Sequence, residues 1–117
     1  MKENVILDKS IHFSLSVIQL YKKLIAANEF VMSKQLLRSA TSIGANIHEA
    51  QAGVSKRDFA NKMAIASKEA REAKYWLVLL DKSQYIKIDY SKYLNDVTEL
   101  IKMLTAIVKT AQSGIKH

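Results

Sequence analysis

Apolar residues recur at helical spacing in four successive segments of the chain, and short polar breaks separate them. The pattern predicts helices over about Asn4 or Asp8 to Asn28, Ser33 to Gly53, Ser55 to Asp81 or Lys82, and Asp89 to Gly114. Because the breaks are short, successive helices should pack antiparallel. The sequence therefore predicts an all-α fold, an antiparallel up-and-down four-helix bundle, with residues 1–117 as a single domain.

The second predicted helix carries almost no charge and is expected to lie at the centre of the bundle. Between Lys34 and Lys56 the only charged or titratable side chains are those of Arg38, His48 and Glu49. A helix without solvating charges is typically covered on most sides. Ala40 and Gly44 lie one turn apart, so a neighbouring helix should approach closely there.

Short polar residues and one glycine mark the predicted helix ends. Ser33, Ser55 and Asp89 are suitable N-caps, because their side chains accept hydrogen bonds from free backbone N–H groups. Gly53 suits the C-terminal cap of the second helix.

The first helix has more apolar surface than one bundle requires. One apolar stripe consists of Phe13, Val17, Leu20 and Leu24, and a second consists of Ile11, Leu15, Ile18 and Ile25. Together they cover roughly 220° of the helix, whereas a surface helix needs about 100°. The surplus favours a second contact with another copy of the chain. The alternative is a helix unusually deep in its own bundle.

The excess of basic over acidic residues indicates which class of partner the chain binds. The chain has 18 Lys and Arg against 11 Asp and Glu, a net charge of +7, which favours polyanions such as RNA or DNA. The alternative is lysine that serves solubility only. Only three of these cations are arginine, the usual reader of bases, so a general electrostatic binder is favoured over a sequence-specific one. Without a long apolar segment or a signal peptide, we expect a cytoplasmic protein with no membrane partner.

Six cations are candidates for nucleic-acid binding: Lys22, Lys23, Lys34, Arg38, Lys56 and Arg57. In an up-and-down bundle the first helix ends where the second begins, so the first four would cluster at one end. Lys56 and Arg57 would lie at the opposite end. Around an oligomer such clusters would form rings, while the alternative is a scatter of solvated side chains.

A second group of residues is expected to make contacts between helices or subunits. These polar side chains are Arg38, Ser42, Asn46 and Glu49 on the second helix and Glu69 and Glu72 on the third. The two glutamates are flanked by Ile65, Trp76 and Leu79, which are candidates for a protein interface. In this alternative the chain is a protein–protein assembly module and its positive charge is incidental.

No pattern of catalytic or cofactor-binding residues is found. Carboxylate-bridged metal bundles use Glu-x-x-His pairs, but His48 directly precedes Glu49. The chain has no cysteine, no glycine-rich phosphate loop and no recognisable Ser–His–Asp arrangement. We therefore expect no metal, no cofactor and no enzymatic activity.

The stretch SKQLLRSATSIGANI, followed by the SK-x-DF turn at Ser55 to Phe59, resembles the four-helix bundle proteins encoded in 23S rRNA intervening sequences. The similarity continues through IASKEAREAKYWL, which contains Glu69, Glu72, Tyr75 and Trp76, and covers nearly the whole chain. It implies an antiparallel four-helix bundle without enzymatic activity and a ring-shaped homo-oligomer, most often a pentamer. A similar bundle is the accessory protein of diversity-generating retroelements, in which a basic pentamer binds reverse transcriptase and nucleic acid.

Overall fold

A computed structural model describes residues 4–53 and 55–115, which form four α-helices. They are α1 (Val5–Ala26), α2 (Met32–Gln51), α3 (Lys56–Ser83) and α4 (Ser91–Ser113). Each helix packs on two others: α1 and α3 both contact α2 and α4. Short turns join successive helices, which makes the bundle antiparallel and up-and-down, with dimensions of 49 × 23 × 21 Å. The predicted fold class is confirmed.

One apolar stripe of each helix forms the core, and on α1 it is the stripe of Phe13, Val17, Leu20 and Leu24. The side chains that are at most 1 % exposed include Phe13, Val17, Leu20 and Leu24 of α1, Leu36, Ala40, Ile43 and Ile47 of α2, Met63, Ala66, Ala70, Ala73, Leu77 and Leu80 of α3, and Val97, Leu100 and Leu104 of α4. The three buried alanines give the middle of α3 little side-chain bulk, and α3 forms with α2 the largest interface of the bundle. The α1–α4 interface is the smallest.

Small residues bring α1 and α2 close together. A Cβ atom on Gly44 would lie only 3.2 Å from the Ser10 Oγ of α1. One turn away, the Ser14 hydroxyl donates to the Ala40 carbonyl at 3.2 Å. The close approach predicted at Ala40 and Gly44 is confirmed, and the neighbouring helix is α1.

The N-terminus of α2 is capped by a residue that the sequence analysis did not identify. Ser33 lies inside the first turn and donates its hydroxyl to the Glu29 carbonyl at 2.8 Å, so the prediction that it is the N-cap is wrong. The Glu29 carboxylate instead accepts the backbone N–H groups of Val31 and Met32, both at 3.0 Å, and of Ser33 at 2.7 Å. The first N–H groups of a helix have no acceptor within it. One carboxylate, in a residue only 4 % exposed, satisfies three of them.

The same turn also closes α1. The Glu29 N–H donates to the Leu24 carbonyl at 2.9 Å, and the Asn28 N–H donates to the Ile25 carbonyl at 3.0 Å. Asn28 is left-handed, with φ = 68°, which completes a Schellman motif in which asparagine takes the usual place of glycine. The α1–α2 turn is therefore held by hydrogen bonds from both helices.

The other predicted caps have mixed outcomes. Ser55 caps α3 as predicted, because its side chain accepts the Asp58 N–H at 3.0 Å. Asp89 accepts the Ser91 N–H at 3.0 Å, although α4 itself begins at Ser91. Gly53 follows α2 without a positive φ, so no left-handed cap explains this glycine. A Cβ at this position would lie 2.6 Å from the Asp58 carboxylate, so the absence of a side chain at Gly53 leaves room for that carboxylate.

We predict that Glu29→Ala destabilises the bundle by about 1–2 kcal/mol, because three backbone N–H groups lose their acceptor. The melting temperature measured by circular dichroism should fall by roughly 5–10 °C. Glu29→Gln keeps one carbonyl acceptor and should have a smaller effect. Glu99→Ala, which removes an exposed glutamate, is the control and should change the melting temperature by much less. Equal effects of Glu29→Ala and Glu99→Ala would contradict the capping role.

Candidate functional site

One end of the bundle carries a concentration of exposed lysines, which we name the basic end. There α1 and α3 finish and α2 and α4 begin, since consecutive helices alternate in direction. Its cations are Lys22, Lys23, Lys34, Lys82, Lys87 and Lys92. All six are exposed, and none forms an ion pair with a carboxylate of the described residues. The sequence analysis identified the first three only, although the same topological argument brings the α3–α4 turn to this end.

The carboxylates at the basic end are largely engaged elsewhere. Glu29 is buried and bound to backbone N–H groups, and Asp89 binds Ser91, whose hydrogen bonds lower the pKa of the Asp89 carboxyl. Asp81 is half-buried at the end of α3. Six lysines against three carboxylates leave a local excess of positive charge, and lysine accounts for all of the exposed cations.

Tyr90 stabilises the α3–α4 turn of the basic end. It is fully buried, and its hydroxyl donates to the Ile86 carbonyl within the α3–α4 turn at 2.9 Å. Burial raises the pKa of Tyr90, and the nearby charges of Glu29 and Asp81 raise it further. Because α1 and α3 both finish here and α2 and α4 both begin here, the α1–α2 and α3–α4 turns contribute to the same end surface.

Arg38 lies in an ion-pair network on the side of the bundle. Its Nη2 donates to Glu69 Oε1 at 3.1 Å and to Glu72 Oε2 at 2.6 Å, which joins α2 to α3. The Trp76 indole N–H donates to the same Glu72 oxygen at 3.1 Å. The hydrogen bond from Arg38 lowers the pKa of Glu72, and the indole bond acts in the same direction. Two carboxylates thus offset the charge of Arg38, which the sequence also assigned to the nucleic-acid set.

The remaining predicted polar contacts divide into two kinds. Glu49 accepts a hydrogen bond from Lys62 at 2.9 Å, a second link between α2 and α3. Ser42 Oγ and Asn46 Nδ2 instead donate to carbonyls of their own helix, those of Arg38 and Ser42, each at 2.8 Å. No other helix of the described chain receives these two hydrogen bonds. Short polar side chains inside a helix often satisfy themselves with the carbonyl four residues back.

The candidate protein interface on α3 is only partly accessible. Ile65 is 41 % exposed, whereas Trp76 and Leu79 are half-buried, and Trp76 packs against the core. The neighbouring Tyr75 is 55 % exposed, and its ring lies edge-on to Trp76 with centroids 5.1 Å apart. Lys56 and Arg57 are exposed on the first turn of α3, at the end opposite the basic end.

The surplus apolar surface of α1 is uncovered in the single chain. Ile11 and Leu15 are 47 % and 57 % exposed, while Ile18 is half-buried. Ile11 and Leu15 directly follow Ser10 and Ser14, which contact Gly44 and Ala40 of α2, and on α2 the residues after those two are the uncharged and exposed Ala45 and Thr41. We name Ile11, Leu15, Ile18, Thr41 and Ala45 the α1–α2 face. The expectation that α2 is covered on most sides is therefore wrong for one chain, because each helix of this bundle keeps an outer face.

The described residues contain neither a metal-binding cluster nor a membrane-spanning helix. Among residues 4–53 and 55–115, no group of three or more His, Asp or Glu side chains is placed to hold a metal ion. None of the helices, as far as the chain is described, combines the length and apolarity needed to span a bilayer.

Known proteins match this chain both as a sequence family and as a solved structure. The family described as 23S rRNA-intervening sequence protein matches residues 2–106. The crystal structure of a protein of unknown function from the S23 ribosomal protein family of Bacteroides thetaiotaomicron VPI-5482 is similar at a TM-score of 0.85 and 50 % identity. That similarity covers 90 % of this chain and 99 % of the other. No curated protein matches this chain.

We predict that the Arg38 network stabilises the fold in a pH-dependent way. The pKa of Glu72 is lowered in the folded chain, so between its usual 4.5 and that lower value the unfolded state binds more protons. The stabilisation is present above pH 4.5 and is lost as the pH falls through the lowered pKa. Because these side chains are 47 % and 38 % exposed, the effect should be below about 1 kcal/mol.

The measurement is the melting temperature at neutral pH and at successively lower pH. Arg38→Met should lower it by a few degrees at neutral pH and should then lose less on acidification than the unmodified protein. Lys34→Met, one turn away and outside any ion pair of the described residues, is the control and should keep the original pH dependence. An unchanged acid loss in Arg38→Met would contradict the assignment.

Proposed function

The chain belongs to the 23S rRNA-intervening sequence protein family, and on that premise we propose that it is a non-enzymatic, self-assembling bundle that binds structured RNA or an RNA–protein complex through the basic end. Ribosomal RNA or another structured nucleic acid is the proposed partner, and the cytoplasm is the proposed location. No catalytic step forms part of the proposal.

The observation that carries this proposal is the distribution of cations. On the side of the bundle, Lys9, Arg38 and Lys62 pair with carboxylates, whereas Lys68, Arg71, Lys74, Lys102 and Lys109 form no ion pair among the described residues. At the basic end six lysines form no such pair among the described residues, and the local carboxylates bind backbone groups or are half-buried. Lysines that are not neutralised attract phosphate by releasing its counterions. Lys22, Lys23 and Lys34 are the proposed principal contacts, with Lys82, Lys87 and Lys92 beside them and Lys56 and Arg57 secondary.

The α1–α2 face supports self-assembly. Its exposed Ile11 and Leu15 adjoin an α2 surface on which Thr41 and Ala45 supply no charge. Burying such a face against another copy removes apolar area from water without the need to desolvate an ion. We propose a homo-oligomer, with a pentameric ring as its form, in which several basic ends would lie on one assembly.

A protein–protein assembly module is the second candidate function. The exposure of Ile65 and Tyr75 favours it, because aromatic side chains are enriched at protein interfaces. In that case the positive charge is incidental, and RNA binding would be weak, independent of RNA shape and absent near physiological salt.

We predict that wild-type protein binds a stem-loop RNA with an affinity that falls steeply with salt, measured by fluorescence anisotropy at several salt concentrations. The triple variant Lys22→Ala/Lys23→Ala/Lys34→Ala should reduce the slope of log affinity against log salt by roughly two to three units. The variant Lys68→Ala/Lys102→Ala/Lys109→Ala removes the same charge from exposed positions elsewhere and should leave the slope nearly unchanged. Equal effects of both triples, or salt-independent binding, would contradict the proposal.

We predict that Leu15→Glu lowers the oligomer mass measured by light scattering, because it places a charge in the apolar α1–α2 face. The monomer should remain folded, since Leu15 is 57 % exposed in the single chain. Asn95→Glu adds the same charge at an exposed polar position of α4, away from the α1–α2 face, and is the matched control. A monomeric wild-type protein, or an unchanged mass for Leu15→Glu, would exclude this face as the interface.

A further inference from the structure

The basic end also exposes large apolar side chains. Phe30 is 59 % and Val31 72 % exposed in the α1–α2 turn, and Tyr85 is 67 % exposed in the α3–α4 turn. Single exposed apolar groups are common on proteins. Here two aromatic rings occur in the two turns that share an end of the bundle with six exposed lysines.

Both aromatic residues sit in turns that are fixed by hydrogen bonds. Phe30 directly follows Glu29, whose backbone N–H ends α1 and whose carboxylate caps α2. Tyr85 directly follows Gln84, a left-handed residue with φ = 46°. The Gln84 side-chain amide donates to the Asp81 carbonyl at 2.9 Å and to the Ile88 carbonyl at 3.3 Å. The rings therefore project from rigid supports, which limits the entropy lost when they bind a ligand.

The two turns lie at the same end of the bundle, because α1 and α3 both finish there and α2 and α4 both begin there. The buried Tyr90 holds the α3–α4 turn, since its hydroxyl donates to the carbonyl of Ile86, the residue after Tyr85. Phe30 and Tyr85 thus belong to a single surface at the end of the bundle.

Aromatic rings among lysines match the chemistry of unpaired nucleic acid. Bases that are not in a duplex stack on Phe and Tyr, while cations contact the backbone phosphates. Stacking tolerates any base sequence, in agreement with an end that offers lysine and no arginine. An acidic peptide could satisfy the lysines, but its side chains would not use two flat ring faces.

We propose that Phe30 and Tyr85 are stacking platforms for unpaired nucleotides, whose phosphates the lysines of the basic end bind. This inference rests on the proposed RNA binding and makes it specific: the preferred ligand is a single-stranded loop or tail of a structured RNA. Duplex regions would interact through phosphate contacts only.

The test compares three fluorescein-labelled probes of equal length by anisotropy: an oligouridine of about 16 nucleotides, the same strand without bases, and a duplex RNA. Phe30→Ser and Tyr85→Ser should each weaken oligouridine binding about five-fold or more, because each stacked base contributes roughly 1–3 kcal/mol. Binding of the abasic strand and of the duplex should not change. Phe30→Tyr and Tyr85→Phe should keep oligouridine affinity, and Tyr75→Ser, which removes an exposed aromatic ring on the side of the bundle, should have no effect.

The outcomes distinguish the stacking role of Phe30 and Tyr85 from the proposed RNA binding on which it rests. Base-dependent binding that is lost in the two serine variants and kept in the conservative ones supports the stacking role. Equal wild-type affinity for oligouridine and the abasic strand would overturn it, as would serine variants that bind like wild type. If the lysine triple variant still weakened binding in those cases, RNA binding through phosphates would stand. Wild-type protein that bound none of the probes at low salt would overturn both.

Discussion

The carboxylate of Glu29 is the interaction on which the arrangement of the basic end depends. It accepts three backbone N–H groups of α2, while its own N–H closes the last turn of α1. One residue therefore sets where α1 stops, where α2 starts and how the turn between them is shaped. A buried carboxylate without such partners would be strongly unfavourable. The positions of Phe30, which directly follows Glu29, and of Lys34 in the first turn of α2 follow from this turn.

The fold was predictable because apolar residues recur at helical spacing at many positions of each helix, so that no single residue decides the prediction. On each helix they mark the face that packs in the core, and the close approach at Ala40 and Gly44 follows from small residues at helical spacing. The helix ends depend on single side chains and were less predictable. Glu29 lies before the usual N-cap position, and no standard capping pattern distinguishes it from a solvated glutamate. Ser33 has the right side chain for a cap but points its hydroxyl back to the preceding turn.

The candidate site was partly predictable for a different reason. The alternating direction of successive helices predicts that Lys22, Lys23 and Lys34 lie at one end of the bundle. The same argument, applied to the α3–α4 turn, also places Lys82, Lys87 and Lys92 there. Sequence could not decide which cations pair, because pairing depends on distances between helices. Arg38 belongs to a network with Glu69 and Glu72, whereas Lys34, one turn away, does not. Ser42 and Asn46 share a helix face with Arg38, yet they bind their own backbone.

The interfaces of the bundle also differ in a way that suggests an order of assembly. Three of them join consecutive helices, whereas the α1–α4 interface joins elements from opposite ends of the chain and is the smallest. Loop-closure entropy opposes contacts between distant segments. The Lys9–Glu99 ion pair spans this interface, but its side chains are 41 % and 55 % exposed and add little stability. The seam between α1 and α4 is therefore the natural place for the bundle to close last during synthesis and to open first under stress.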